Sequence, residues 1–155
     1  MKNKKKVCFI SSSGGHLEQL KQLSLVEAKY NSYFVLPKNK STINLQKKKY
    51  LVGDFYRKNR VQFIFRFTIT AIQQFLIFIK ERPDIVITTG AGVVIPTCLY
   101  AHFFRKKIIY IESFARMKSL NKTTQLLSKY TDLLIVQWKD LFDKCPNAIY
   151  GGWIY

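Results

Sequence analysis

Three loops of this sequence combine glycine, hydroxyl, imidazole and charged side chains in patterns that could bind a ligand. The first contains Ser13, Gly14, Gly15 and His16, directly after an apolar run that predicts a strand. Glycines there let the backbone approach a ligand closely, and the N–H groups that open the next helix can bind an anion. His16 could act as a general base. A tight turn with a capping serine and an incidental histidine explains the same residues.

The second and third loops carry groups of the same kind. Thr89, Gly90 and Gly92 follow a buried-strand pattern and precede a predicted helix. The third loop places the Glu112 carboxylate and the Arg116 cation at the end of another predicted strand. Each loop alone is explained by a turn or a solvated ion pair. Three such loops at one edge of a sheet indicate a binding cleft whose chemistry they do not specify.

The elements that would position these loops alternate between apolar strands and helices. The predicted strands are 7–10, 33–36, 84–89, 108–111 and 133–136, with a short strand at 50–52 inside a long loop over 38–60. One predicted helix starts at residue 17, and the others cover 61–79, 93–104 and 120–130. Continuous apolar strands are buried on both faces, which predicts an α/β domain with a Rossmann-like, doubly wound parallel sheet. Ligands then bind beyond the carboxyl ends of the strands.

The composition joins a strong positive charge to a high apolar content. The chain has 155 residues, 26 Lys and Arg against 9 Asp and Glu, a formal charge of +17 and 48% apolar residues. This length predicts one domain over 1–155, and the apolar content excludes a disordered chain. No helix-turn-helix or aromatic–arginine surface appears, so we expect no nucleic-acid partner. A partner that is both anionic and apolar, such as a membrane surface, fits better.

The sequence predicts no cofactor and no metal site. The first loop is not GxGxxG and lacks the lysine of a Walker loop, which disfavours NAD and ATP. The three cysteines, Cys8, Cys98 and Cys145, have no metal-ligand spacing and are typical of free thiols in a reducing cytosol. The first apolar run, 7–10, is too short for a signal peptide. We therefore expect the protein on the cytoplasmic side.

The predicted helix 61–79 is apolar around most of its circumference. Its polar residues form one narrow stripe, namely Gln62, Arg66, Thr70, Gln73 and Gln74. A transmembrane crossing, a helix lying in the lipid interface, and a core or partner-covered helix are the alternatives. A charge and two glutamines within the span disfavour crossing. The basic segment 38–60, with a net charge of +7, favours peripheral docking on the membrane. The side chains predicted to dock are Arg57, Lys58, Arg60, Phe63, Arg66 and Phe67.

Four segments resemble, in the same order, a known family. They are VCFISSSGGHLEQL (7–20), DIVITTGAGVVIP (84–96), IIYIESFAR (108–116) and LLSKYTDLLIVQW (126–138). The family comprises bacterial capsule and exopolysaccharide subunits that assist a partner glycosyltransferase. It includes the eukaryotic membrane-anchoring subunit of the transferase that adds the second GlcNAc to dolichol-diphosphate-GlcNAc. The same loops resemble, more distantly, the acceptor-binding half of the GlcNAc transferase that completes the peptidoglycan lipid precursor.

The resemblance implies the N-terminal half of a split GT-B glycosyltransferase, which needs no metal. This half would bind a polyprenyl-diphosphate-linked sugar and dock on the inner leaflet of the cytoplasmic membrane. A C-terminal-half partner would bind a UDP-sugar, and bacterial members commonly transfer β-1,4-galactose. Without that partner the chain would be inactive. An anchoring and recruiting module with no catalytic group is the alternative.

The resemblance also implies roles for the three loops. The acceptor diphosphate would contact Ser13, Gly14, Gly15, Thr89, Gly90, Gly92 and Arg116. His16 would deprotonate the acceptor hydroxyl, and Glu112 would orient that hydroxyl or contact the sugar. The eukaryotic subunit has an N-terminal transmembrane anchor, whereas only Lys2–Lys6 precede the first predicted strand here. Attachment to the membrane would therefore fall to helix 61–79 or to the partner.

Overall fold

The apolar runs pair side by side as a parallel sheet in the computed structural model, which describes residues 4–54, 59–145 and 147–154. The strands are β1 (Lys6–Ile10), β2 (Asn31–Pro37), β3 (Lys49–Val52), β4 (Ile85–Thr88), β5 (Lys107–Ile111), β6 (Leu133–Val136) and β7 (Ala148–Tyr150). Their order is β3-β2-β1-β4-β5-β6-β7, and each neighbouring pair is parallel. The order reverses between β1 and β4, which confirms the predicted doubly wound, Rossmann-like sheet.

Helices cover both faces of this sheet. They are α1 (Gly15–Lys21), α2 (Ser24–Lys29), α3 (Lys40–Ile43), α4 (Arg60–Glu81), α5 (Ile95–Phe103), α6 (Lys122–Leu127) and α7 (Lys139–Phe142). Single 3₁₀ turns, Gly92–Val94 and Ser128–Tyr130, adjoin α5 and α6. Strand β1 shows why its apolar run is continuous. Val7 and Phe9 pack with α1 on one face, while Cys8 and Ile10 pack with α4 and α5 on the other.

Several boundaries differ from the sequence prediction for local reasons. The predicted first helix is interrupted at Leu23, where the backbone leaves helical geometry, and so forms α1 and α2. The predicted loop 38–60 contains α3, because Asn39 and Thr42 form a reciprocal capping box that starts a helix without apolar periodicity. The sequence predicts 133–136 as the last strand of the sheet. The structure adds β7, an edge strand of three residues in which only Ala148 is buried.

The C-terminal part of the polar stripe of α4 contacts the protein, through Thr70, Gln73 and Gln74, whereas Gln62 and Arg66 are exposed. Much of the apolar surface of α4 faces outward. Gln74 is 1% exposed; its amide donates to the carbonyl oxygen of Val93 at 2.8 Å, and its Oε1 accepts from the Thr97 hydroxyl at 2.7 Å. The hydroxyl of Thr70 donates to the Gly53 carbonyl. Exposed apolar residues cover the outer face, namely Val61, Ile64, Phe65, Ile69, Ile72, Phe75, Leu76 and Ile79. This arrangement is the reverse of an ordinary surface helix.

A buried carboxylate fixes the C-terminal end of α4 to the sheet. Glu81 is 5% exposed and lies 3.0 Å from the ammonium groups of both Lys6 and Lys48. The hydroxyl of Tyr50 also donates to it. Burial by itself raises the pKa of Glu81, but the hydrogen bonds from Tyr50, Lys48 and Lys6 outweigh it and lower that pKa to about 2. The charged carboxylate therefore ties α4 to β1 and β3.

This pKa predicts an acid-sensitive contribution to stability. A lowered pKa in the folded state contributes stability that is complete above the ordinary value of 4.5 and is lost as the pH falls towards about 2. We expect Glu81→Gln to lower the free energy of unfolding at pH 7 by about 3 kcal/mol and to have a smaller effect below pH 4. Urea unfolding followed by circular dichroism from pH 7 to pH 3 measures both.

Glu18→Gln is the matched control. The Glu18 side chain is 61% exposed and pairs with Lys21 on the same helix, so its replacement should change the free energy of unfolding by less than about 0.5 kcal/mol. Parallel pH curves for the wild type and Glu81→Gln would contradict the assigned role of Glu81.

Candidate functional site

Two reciprocal hydrogen bonds join the loops that follow β1 and β4, at the point where the strand order reverses. The His16 Nδ1 lies 2.7 Å from the carbonyl oxygen of Thr89, and the Thr89 hydroxyl donates to the carbonyl oxygen of His16, also at 2.7 Å. A carbonyl oxygen only accepts, so Nδ1 carries the hydrogen in this bond. In the neutral imidazole the other nitrogen, Nε2, then has the lone pair that can accept a proton.

The first loop starts α1 with a glycine. Gly14 is the N-cap residue with φ +72°, and the N–H of Glu18 donates to its carbonyl oxygen at 3.0 Å. The hydroxyls of Ser11 and Ser12 donate instead to the carbonyl oxygens of the residues that follow them. The alternative of a capping serine is therefore wrong. Ser13 is half-buried and Gly15 is exposed at the start of α1, where helix N–H groups lack intrahelical partners.

The second loop holds a strained backbone between its two predicted glycines. Gly90 has φ +102°, and a Cβ there would lie 2.5 Å from the hydroxyl oxygen of Tyr110. Ala91 has φ 79° and ψ 161°, a region that residues with a side chain rarely adopt. Gly92 opens the 3₁₀ turn that leads into α5. The glycines of this loop are predictable from the sequence, whereas the strain also falls on the alanine between them.

The third loop is organised by the Glu112 carboxylate, which is 1% exposed. Its Oε1 accepts from the Ser113 N–H at 2.8 Å and from the Asn121 amide at 2.7 Å, and its Oε2 accepts from the Asn121 N–H at 3.1 Å. Asn121 in turn caps α6 by accepting from the N–H of Thr124 at 2.9 Å. Glu112 therefore ties the loop after β5 to the start of α6.

The three loops enclose a polar cleft of about 460 Å³. Its lining residues are His16, Ala91, Ser113, Ala115, Arg116, Asn121, Lys122 and Thr123. The predicted residues His16 and Arg116 both line this cleft, as does Lys122, which is not among the predicted site residues. Two exposed cations beside helix starts favour an anionic ligand. Asn121 is the sequence signal that could have indicated this wall of the cleft, because asparagine is a preferred N-cap residue and so marks the start of α6.

The predicted docking residues lie on a different surface, at the start of α4. Arg60 and Arg66 are exposed, and the rings of Phe63 and Phe67 stack with centroids 6.1 Å apart. Arg57 and Lys58 lie outside the described residues. By length and apolar composition alone, α4 is the one helix within the described parts of the chain that could cross a membrane, and 17% of its most apolar stretch is buried. A helix buried inside the domain is excluded.

The apolar surface of α4 continues onto α5. Phe75 contacts Tyr100 and Phe78 contacts Phe104, with ring centroids 5.2 Å and 5.6 Å apart. Phe103, at the end of α5, is 79% exposed. Among the residues that the structure describes, no three His, Cys, Asp or Glu side chains converge as a metal site would require.

Comparison with known proteins relates most of the chain to one family. A family model described as oligosaccharide biosynthesis protein Alg14-like matches residues 52–154. A UDP-N-acetylglucosamine transferase subunit alg14 of Schizosaccharomyces pombe is 41% identical over 75 residues, which cover 45% of this chain and 36% of the relative. The corresponding subunit of Candida albicans is 31% identical over 107 residues, covering 65% of this chain and 47% of the relative. The matches span less than half of each relative.

Solved structures share the fold at low sequence identity. MurG of Acinetobacter baumannii superposes with a TM-score of 0.73 at 16% identity, covering 89% of this chain and 43% of MurG. UDP-N-acetylglucosamine 2-epimerase of Rickettsia bellii superposes with a TM-score of 0.72 at 13% identity, covering 97% of this chain and 45% of the epimerase. These likenesses confirm the predicted Rossmann-like fold.

From the backbone geometry of the second loop, we predict that a methyl group at position 90 destabilises the protein. Gly90→Ala adds a Cβ that meets the Tyr110 hydroxyl at 2.5 Å and occupies an unfavourable φ, so we expect a loss of about 1–3 kcal/mol in the free energy of unfolding. Gly15→Ala is the control, because its Cβ meets no atom within 4 Å of the described structure. Urea unfolding of both variants tests this, and equal stabilities would contradict the assigned constraint.

Proposed function

Since the chain belongs to the Alg14-like family of oligosaccharide biosynthesis proteins, we propose that it is an accessory subunit of a glycosyltransferase. It binds the lipid-linked acceptor, and a catalytic partner binds the UDP-sugar. The observation that carries this proposal is the polar cleft in which His16, Arg116 and Lys122 meet at the reversal of strand order. The relatives named above support it, because each is a UDP-N-acetylglucosamine transferase subunit by name.

The cleft suits the diphosphate of a polyprenyl-diphosphate-linked sugar. Arg116 and Lys122 supply positive charge on one wall. Gly14, Gly15 and Gly92 lie near the openings of α1 and α5, where backbone N–H groups can donate hydrogen bonds to a phosphate oxygen. The N–H of Gly90 donates instead to the Thr88 hydroxyl oxygen, so Gly90 shapes the turn. Ser13 and Thr89 flank these turns. The surrounding turn holds Ala91 in a strained backbone conformation, so this loop is already ordered, which favours binding because less freedom is lost when the ligand arrives.

His16 is the proposed general base. Its Nδ1–H is held by the Thr89 carbonyl, so Nε2 accepts the proton of the acceptor hydroxyl. The hydroxyl oxygen forms the new bond to the anomeric carbon of the donor sugar, and the bond from that carbon to UDP breaks on the partner. The Thr89 carbonyl stabilises the imidazolium that results. Glu112 acts by positioning, because its three hydrogen bonds hold the loop that presents Arg116.

The outer surface of α4 is the proposed membrane contact, on the cytoplasmic face. Apolar side chains cover that surface while Arg60 and Arg66 remain exposed near its start. Apolar burial and attraction to anionic lipid act together in helices that lie in the lipid interface. A partner subunit that covers α4 is the alternative occupant. The exposed face also favours a second candidate function, a recruiting module without a catalytic group.

The finer setting is capsule or exopolysaccharide synthesis, with β-1,4-galactosyl transfer from UDP-galactose onto a polyprenyl-diphosphate-linked glucose. The four motif segments of the sequence support it through their resemblance to bacterial subunits of this kind. Supplying the subunit pair with UDP-galactose and, separately, with UDP-N-acetylglucosamine tests the donor. Transfer from the second donor alone would overturn the galactosyl assignment and leave the subunit assignment intact.

The general-base proposal predicts a large loss of turnover in His16→Asn. The asparagine amide can still donate to the Thr89 carbonyl, but it has no basic nitrogen, so kcat should fall about 10²–10⁴-fold. The assay combines this chain, its partner subunit, the lipid-linked sugar and the UDP-sugar. His102→Asn is the control, because His102 lies on α5 against Tyr130 and does not line the cleft. Turnover near wild type in His16→Asn would favour the recruiting module.

The membrane proposal predicts that one charge on α4 releases the protein from vesicles. Phe65 is 67% exposed, and Phe65→Glu should weaken binding to vesicles containing phosphatidylglycerol by at least about tenfold, because it replaces apolar burial with a repelled carboxylate. Leu25→Glu is the control, because Leu25 is 79% exposed on α2, which lies on the opposite face of the sheet from α4. Vesicle flotation measures both. Loss of partner binding by Phe65→Glu with unchanged vesicle binding would identify the partner as the occupant.

A further inference from the structure

A second pocket adjoins the polar cleft, and we propose that it binds the pyranose ring of the acceptor. It measures about 350 Å³ and is lined by Glu18, Gln19, Gln22, Phe114 and Trp153. Both its size and its mixture of aromatic and polar groups are typical of small-molecule sites. The inference rests on the proposed function, because the acceptor class comes from there.

Aromatic rings form one wall of this pocket. The Phe114 ring lies between Trp138 and Trp153, with centroids 4.8 Å and 5.3 Å away. The Trp138 indole N–H donates to the carbonyl oxygen of Phe114 at 2.7 Å, which fixes the loop that carries this ring. Trp153 is 73% exposed. The electron-rich face of an aromatic ring attracts the weakly positive C–H groups on one face of a pyranose.

Hydrogen-bonding side chains form the opposite wall, along α1. The Oε1 of Gln19 accepts from the N–H of Phe114 at 3.4 Å, so its amide N–H groups are the part that can donate to a ligand. Gln22 is exposed and offers both a donor and an acceptor. Glu18 is held by Lys21 and offers carboxylate oxygens. This wall suits sugar hydroxyls, which both donate and accept hydrogen bonds. The Glu18 carboxylate disfavours binding of an anion here.

The pocket and the cleft share their supporting elements. Helix α1 carries His16 on the cleft and Gln19 on the pocket, and its C-cap residue Gln22 also lines the pocket. Positions three apart lie on one face of a helix. The third loop likewise places Ser113 on the cleft and its neighbour Phe114 in the pocket. A ligand whose diphosphate lies near Arg116 therefore has its sugar directed past His16 towards the aromatic wall.

The test measures binding of methyl β-D-glucopyranoside to the isolated chain by saturation-transfer difference NMR. We expect saturation of the ring C–H protons and a dissociation constant on the order of millimolar, as for a ligand of this size. Trp153→Ala should weaken this binding about tenfold, and Trp153→Phe should recover most of it. Gln22→Ala should weaken it severalfold. Phe103→Ala is the matched control, because Phe103 is 79% exposed and lies on the apolar surface of α5.

Two results would overturn the subsite. One is the absence of saturation up to about 50 mM glycoside; the other is equal binding by the wild type and Trp153→Ala. No saturation is expected if the partner subunit fills the pocket, or if the pocket binds only the sugar of UDP-galactose. Sugar transfer by the subunit pair without glycoside binding would remove only the subsite. Glycoside binding that depends on Trp153, without transfer, would support the subsite and remove the proposed function.

Discussion

A parallel sheet that is buried on both faces can bind a ligand only at the ends of its strands, and the rest of this structure depends on that constraint. The central strands β1 and β4 are covered by helices on each side, so no ligand can reach their faces. The loops that leave their carboxyl ends meet instead. The reciprocal bonds between His16 and Thr89 join them at the one place where the strand order reverses. The cleft is a direct result of this topology.

Helix α4 is held at two places, near the amino ends of the strands and beside the start of α5. Glu81 anchors the end of that helix to Lys6 and Lys48, and Gln74 joins its middle to the start of α5. These polar contacts direct the C-terminal part of the polar stripe towards the protein and leave much of the apolar surface of α4 facing outward. A helix with this orientation exposes more apolar surface than a soluble monomer usually does, which indicates an interaction site. The positive charge of the chain, +17 overall, fits a negatively charged membrane surface.

The cleft could be predicted from the sequence of its loops, but the residues of its walls could not. His16 and Arg116 stood out because their residue types follow strand patterns at the same predicted edge. Asn121 and Lys122 did not, since a helix start brings them to the cleft only when Glu112 binds the asparagine. The strain of Ala91 has no sequence signature at all. Its φ of 79° results from the turn that surrounds it.

The sequence alone determined the fold class, the edge at which the loops gather and the existence of an unusually apolar helix. These features follow from local patterns: continuous apolar runs, glycines after strands, and polar residues spaced by three and four. Tertiary structure decided what each pattern faces. Gln74 points inward because its amide pairs with Val93 and Thr97, residues about twenty positions away. Phe114 and Trp153 share a pocket because β5 and the residues after β7 end at the same edge of the sheet. Contacts between distant residues depend on the pairing of the strands, and no local pattern encodes that pairing.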